Sequence, residues 1–134
     1  MIEYKELTSD ALEAIKALYQ QHGWLAYLRD DEKLKRAFDQ SLYTIGAYDG
    51  GELAGFVRCV GDGQHIVLVQ DLIVAVSHQR QGIGKALMQM VRDKYADVRM
   101  IMLLTDAMDE NANAFYQAIG MQKIEQNGCV GYMM

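Results

Sequence analysis

The chain has 134 residues, 51% of them hydrophobic and 23% charged, which is the balance of one globular domain and excludes disorder, collagen-like sequence and a coiled coil. Eighteen acidic against 13 basic residues leave a formal net charge of −5, which argues against a nucleic-acid partner and mildly favours cationic ligands. The first residues, Met1 to Glu6, lack the apolar core of a signal peptide, and no apolar run approaches the ~20 residues that span a bilayer. Two cysteines, Cys59 and Cys129, are too few for a disulfide framework and read as reduced thiols in a cytoplasm. Both lie in apolar, strand-like runs, where core packing is the expectation. No C-x-x-C or Cys/His cluster is present, so no metal is expected.

Ile2 to Leu7 alternates apolar and polar residues and predicts a first strand. Thr8, Ser9 and Asp10 offer N-cap oxygens to a helix carrying Leu12, Ile15, Leu18 and Tyr19 at helical spacing and closed by Gly23. Trp24 to Arg29 reads as a loop or as part of a bent helix. A second helix starts near Asp30-Asp31, with Leu34, Ala37, Phe38 and Leu42 on one face. Leu42 to Tyr48 and Leu53 to Val60 form a hairpin about Asp49-Gly50-Gly51, because glycine accepts positive φ. Ile66 to Val76 is an apolar run broken only by Gln70-Asp71, as expected of a strand buried on both faces. Gly82 opens a helix bearing Ile83, Ala86, Leu87, Met90 and Val91; Val98 to Leu104 is another strand. Asp109 to Ile119 is a helix ended by Gly120, and Met121 to Glu125 with Cys129 to Met134 read as two short strands about Asn127-Gly128. The predicted order is β-α-α-β-β-β-α-β-α-β-β in a single domain of residues 1–134. That is a mixed α/β fold, its sheet mostly antiparallel and flanked by helices.

Gln79-Arg80-Gln81-Gly82-Ile83-Gly84-Lys85 joins the buried strand to an amphipathic helix. Two glycines at a helix start leave backbone N–H groups unobstructed, and with the helix dipole they suit a phosphate. The Walker pattern fails, with Gln79 and Ala86 at its outer Gly and Ser/Thr positions. The dinucleotide pattern fails at Leu87. Gln79, Gly82 and Gly84 do match Q/R-x-x-G-x-G/A. About 30 residues on, Ala112 to Met121 matches A-x-x-F-Y-x-x-x-G-F, with Met121 in place of the final aromatic. In these motifs the chain resembles the GNAT family of acyl-CoA-dependent N-acyltransferases.

The resemblance implies acetyl-CoA as co-substrate and no metal. By it, the backbone of Leu72, Ile73 and Val74 pairs with the pantetheine arm, and Gln79, Arg80, Gln81, Gly82, Ile83, Gly84 and Lys85 wrap the pyrophosphate. Many relatives carry Asn where Asp109 stands; here Asp109 is expected to cap the helix, with Asn111 as the substitute contact. Tyr116 is the implied general acid that protonates the departing thiolate. Asp71, a carboxylate inside an apolar run, must be paired or sit at a bulged or splayed point of the sheet. It is the candidate general base, acting directly or through a water, and an N–H near Ile73 is the expected oxyanion donor. The other reading of Asp71 is an acid bonded to nearby backbone or to an Arg. His22, His65 and His78 are expected to face solvent or bond locally. The implied acceptor is a small-molecule amine, aryl or polyamine, met by Trp24, Tyr27, Phe38 and Tyr132. Met133-Met134 reads as the lining of either a dimer contact or a substrate groove, so a homodimer is the candidate assembly. The rival to an N-acetyltransferase is a non-catalytic acyl-CoA-binding or regulatory module of the same fold.

Overall fold

The Asp49-Gly50-Gly51 turn, with Gly50 and Gly51 both at positive φ, folds β2 (Tyr43–Asp49) back on β3 (Glu52–Gly61). A computed structural model describes all 134 residues, as two compact units, Met1–Leu103 and Leu104–Met134. In the first unit a five-stranded sheet runs β1-β2-β3-β4-β5, where β1 is Ile2–Glu6, β4 Ile66–Val74 and β5 Met100–Leu103. All neighbours are antiparallel except β4 and β5. This is the mixed, mostly antiparallel sheet expected from the sequence.

One face of the sheet is covered by α1 (Leu12–Gln21) and α2 (Asp31–Asp39), joined through a 3-10 turn at Leu25–Leu28. Ile15, Leu18 and Tyr19 of α1 and Leu34 and Phe38 of α2 are buried in one core with Phe56, Ile73 and Ala75 of the sheet side. Trp24 to Arg29 is therefore neither loop nor bent helix but a short tighter turn between two helices. On the other face α3 (Ile83–Lys94) packs on β3 and β4 and buries Ile83, Leu87, Met88 and Val91. Gly55 is required where α3 meets the sheet: a Cβ there would lie 2.7 Å from the carbonyl oxygen of Ile73 and 3.5 Å from Ile83.

The second unit holds α4 (Glu110–Ala118) and a 3-10 turn at Ile124–Asn127, and none of its residues is fully buried. The two final strands expected from the sequence do not form. Their backbone is used locally instead: Gln126 N–H donates to Lys123 O (3.0 Å), Gly128 N–H to Glu125 O (3.2 Å) and Cys129 N–H to Ile124 O (3.4 Å). An alternating pattern with no strand to pair is too little for a hairpin on its own. Cys129 is consequently exposed, against the expectation of core packing, while Cys59 is buried and its thiol pushed up to about 12 by that burial. Tyr132, Met133 and Met134 are exposed as well. No helix is long and apolar enough to cross a membrane.

The β3–β4 connection depends on Asp62, whose Oδ1 accepts the N–H groups of Gln64 (2.9 Å), His65 (2.8 Å) and Ile66 (3.0 Å). These bonds hold its carboxyl down at about 2 from an ordinary 3.8. A folded value below the unfolded one means the stabilisation is present above the unfolded value and is lost as pH falls toward about 2. Asp62→Ala is thus expected to lower Tm at pH 7, with the gap from wild type narrowing between about pH 4 and pH 2. Thermal melts across that range check it, and a gap that stays constant contradicts it.

Candidate active site

β4 has a partner on both edges for only part of its length. β5 pairs with it from Ile66↔Met100 to Val69↔Leu103, while β3 continues alongside as far as Gly55↔Val74. From Gln70 to Val74 one edge of β4 faces no strand. Its backbone directions follow from one bond: Ala75 N–H donates to Ala54 O at 2.7 Å, so Ala75 points toward β3. Antiparallel pairs alternate, so Ile73 and Asp71 also point toward β3, and Leu72 and Val74 point to the open edge. His22 agrees with this, because its Nε2 donates to the Val74 carbonyl at 2.8 Å. The Leu72 N–H and C=O and the Val74 N–H are left along the open edge. The N–H of Ile73 itself is turned toward β3, so the outward N–H groups near it are those of Leu72 and Val74.

At the end of β4 a 3-10 turn (Val76–His78) leads into the glycine loop. Arg80 adopts φ 63°, an uncommon conformation for a residue with a side chain. Gly82 follows at φ 84° as the N-cap of α3, with no side-chain cap and nothing within 4 Å of where a Cβ would stand. Alternating left-handed residues and an uncapped helix start aim successive N–H groups outward, which is an anion-binding arrangement. His78 fixes the loop from beneath. Its Nε2 lies 2.9 Å from Asp49 Oδ2 at the β2–β3 turn, and that contact holds the Asp49 carboxyl below its ordinary value.

Asp71 sits where the open edge begins, and the register shows why it is special. Arg58 faces Asp71 but Cys59 faces Val69, so Gln70 is the extra residue of a β-bulge. The Asp71 side chain is 1% exposed and opposes Arg58 at 6%. Arg58 Nε donates to Oδ2 at 2.7 Å, Tyr19 hydroxyl donates to Oδ2 at 2.8 Å, and Tyr27 hydroxyl donates to Oδ1 at 2.8 Å. Arg58 Nη1 also donates to Ser41 Oγ at 3.2 Å, and Ser41 donates on to Ala37 O. Two charges out of water cost several kcal/mol each unless attraction and further hydrogen bonds offset the loss. Here they do, since no buried side-chain polar atom lacks a partner. Burial and then Asp71 raise both tyrosine hydroxyls, so Tyr19 and Tyr27 stay protonated donors. Burial alone would lower the Arg58 guanidinium, but Asp71 outweighs it and holds it above its ordinary value. Of the two sequence readings of Asp71, the ion pair with an Arg is present.

Tyr27 stacks on Tyr19 with ring centroids 4.2 Å apart, and Trp24, 37% exposed, lies 6.1 Å from Tyr19. Arg58, Ser41 and the polar role of Tyr19, which spacing placed only on the buried face of its helix, were not anticipated. Their signal was available: Arg58 interrupts the apolar run Leu53 to Val60 as Asp71 interrupts the next, and two opposite charges in adjacent buried strands pair with each other. Phe38, expected both on the apolar face of α2 and in the acceptor lining, is a core residue, 5% exposed.

In the second unit Asp109 caps α4, accepting from Ala112 N–H at 2.9 Å, as expected. Asn113 braces the same start through Nδ2 to Asp106 O (3.0 Å) and Asp109 O (2.7 Å). Asn111 is exposed. The half-buried Tyr116 rests against Phe115 (5.2 Å), and burial, then Asp109, raises its hydroxyl above the ordinary value, so it is a proton donor at neutral pH. No group of three or more His, Cys, Asp or Glu could hold a metal ion.

The model of the acetyltransferase (GNAT) family matches residues 6–121, running across the boundary between the two units. A solved GNAT family acetyltransferase of Streptococcus pneumoniae is 35% identical, with a TM-score of 0.83 over all of this chain and 96% of that one. A ycf52-like N-acetyltransferase of Prochlorococcus marinus is 30% identical over 119 residues, 84% of this chain and 63% of the relative. The chloroplastic serotonin N-acetyltransferase 2 of Oryza sativa is 32% identical over 67% of this chain and 56% of its own length. The chain thus spans about three-fifths of the length of these curated relatives.

The buried pair predicts an asymmetric mutational response. Arg58→Ala strands the Asp71 charge and is expected to lower the unfolding free energy by about 3–5 kcal/mol. Replacing both partners by apolar residues, Arg58→Met with Asp71→Leu, is expected to cost less than the single change. Denaturant titrations of the three proteins check this, and a double variant less stable than Arg58→Ala contradicts it.

Proposed function

This chain belongs to the acetyltransferase (GNAT) family, and on that premise we propose that it transfers an acetyl group from acetyl-CoA to a primary amine by direct attack. The observation that carries the reading is the open edge of β4 leading into an uncapped, glycine-flanked helix start. The two features suit the two halves of one ligand. An amide-bearing pantetheine arm adds to the edge at Leu72 and Val74 as another strand would. A pyrophosphate takes the N–H groups of Gln79 to Lys85. Ile73 supports the edge from the core, and Asn111 is the further contact from α4.

Polarity along the edge follows from this. With the pyrophosphate at the α3 start, the arm runs back from Val74 toward Gln70, about 13 Å of strand at ~3.3 Å per residue. Its acyl end then lies between Leu72 and Gln70, beside Asp71. The outward N–H of Leu72, at the acyl end, is the oxyanion donor we assign, and the N–H of Val74 is left to the pantetheine arm. The amine must lose a proton to attack, since an alkylammonium titrates near ~10. Asp71 receives that proton, and Tyr116 protonates the leaving thiolate. Trp24 and Tyr27 and the negative net charge support a cationic acceptor with an aromatic group, and the rice relative's name points the same way. The unpaired cysteines are consistent with the reduced, cytoplasmic setting we assign.

The test is CoA release from acetyl-CoA by the purified chain over a panel of arylalkylamines, polyamines and amino acids. Release with at least one amine is expected. Acetyl-CoA binding with no release by any amine would instead favour the non-catalytic module. Gly82→Val places a branched side chain where the phosphate approaches and is expected to abolish measurable acetyl-CoA affinity by calorimetry; an unchanged Kd contradicts the loop assignment. Tyr116→Phe is expected to lower kcat with little change in acetyl-CoA affinity, and the loss should shrink with an acyl donor whose thiol is more acidic. An unchanged kcat returns Tyr116 to a packing role.

A further inference from the structure

Asp71 is the proton sink of the reading above, yet its side chain is 1% exposed and no acceptor amine can touch it. Its two oxygens are unequal. Oδ2 carries both Arg58 and Tyr19, whereas Oδ1 accepts Tyr27 alone. Tyr27 is only half-buried, and its hydroxyl also accepts from Nε2 of Gln70 at 3.2 Å. Gln70 is exposed, is the bulge residue without a β3 partner, and is the first residue of β4 beyond its pairing with β5. One phenol oxygen therefore connects the buried carboxylate to the exposed residue where the open edge begins.

A hydroxyl has one hydrogen, and Tyr27 gives it to Asp71. Toward the outside its oxygen is therefore only an acceptor, with one lone pair on Gln70 and one free. That is the polarity needed to receive an N–H. We propose that Tyr27 is a catalytic residue: it accepts a proton from the acceptor ammonium at Oη while passing its own hydrogen to Asp71 Oδ1. This deepens the acetyltransfer reading and rests on Asp71 as the proton sink. The step balances. An N–H bond of the ammonium breaks as a new Oη–H bond forms, the original Oη–H bond breaks as Oδ1–H forms, and the nitrogen lone pair is freed. That lone pair attacks the thioester carbonyl, C–N forms and C–S breaks, Tyr116 gives its hydrogen to the thiolate to make CoA–SH, and the second amine proton restores the Tyr116 hydroxyl. Asp71 returns its proton to water by the same path. No phenolate need form, which matters because burial and Asp71 both oppose one. Arg58 and Tyr19 are positioning residues: they hold Oδ2 so that Oδ1 stays aimed at Tyr27.

The experiment measures kcat/KM against pH for the full chain, with acetyl-CoA and an amine that the wild type acetylates. Tyr27→Phe, Tyr27→His and Asp71→Asn are compared. Tyr27→Phe keeps the ring and its stacking on Tyr19, so its acetyl-CoA Kd should match the wild type. Its kcat/KM at pH 7 is expected to fall about 10²-fold, within the range for lost acid–base catalysis. The deficit should narrow as pH rises toward 10 and solution supplies the free amine. Tyr27→His, which retains a proton-passing atom, should recover part of the rate. Wild-type rates in Tyr27→Phe while Asp71→Asn is impaired overturn the relay but leave Asp71 as the base. A deficit in Tyr27→Phe that is the same at every pH and the same in Tyr27→His also overturns it. Full activity in Asp71→Asn overturns the base assignment on which it rests.

Discussion

Every backbone donor and acceptor of a strand inside a sheet has to be placed, and β4 places those of one edge only as far as Val69. Beyond it β3 remains on one side, and the groups of Leu72 and Val74 stand open on the other. Leaving such groups without a partner is costly where water is excluded. The sequence around this stretch deals with the cost in two ways. The Val74 carbonyl is taken by His22 and the N–H of Val76 by Gln21, both from the end of α1. The remaining groups keep the spacing of a strand edge, which an amide-bearing ligand matches. The glycine loop that follows is set by the same strand, so the open edge and the loop are fixed relative to each other by a single β-to-α connection.

The Arg58–Asp71 pair belongs to the same place in the sheet. A bulge at Gln70 breaks the β3–β4 register where β4 parts from β5, and the residue after it turns a carboxylate into the core beneath α1. Such a charge is tolerable only with Arg58 opposite and with two tyrosines brought by α1 and the turn after it. The pair links the helical layer to the sheet, and it orders the tyrosines with their hydrogens inward. A cluster whose only task was stability would be served as well by apolar residues of the same volume. Its polar composition, next to an open strand edge, is the physical reason to place chemistry there.

Much of this was legible in the amino acids. Period-two alternation located the first strand, the Asp49-Gly50-Gly51 turn located the hairpin, and helical spacing located α1 to α4. The glycine loop stood out because Gly82 and Gly84 flank a helix start after a buried strand. Asp71 stood out because an acid rarely interrupts an apolar run. What pattern could not supply was pairing. Val98 to Leu104 predicts a strand, of which Met100–Leu103 forms, but composition does not give its register, which ends at Val69↔Leu103 and leaves β4 open beyond it. Nor does alternation say which way an N–H points: the expectation of a donor near Ile73 did not tell Ile73, turned toward β3, from Leu72 and Val74, which face out. The tail failed for a related reason. Met121 to Glu125 and Cys129 to Met134 have strand-like composition, but Gly128 at φ 81° and the local bonds about Ile124–Asn127 settle the chain into a turn.

The central claim is that β4 presents an open edge that an acetyl-CoA molecule completes. Amide hydrogen exchange, read residue by residue with and without acetyl-CoA, tests it most directly. The account predicts that Ile73 is protected in the free protein by its bond to β3. Leu72 and Val74 should exchange rapidly in the free protein and become protected when acetyl-CoA is added. Protection of Leu72 and Val74 already in the free protein, or no change in either on saturation with acetyl-CoA, would contradict it.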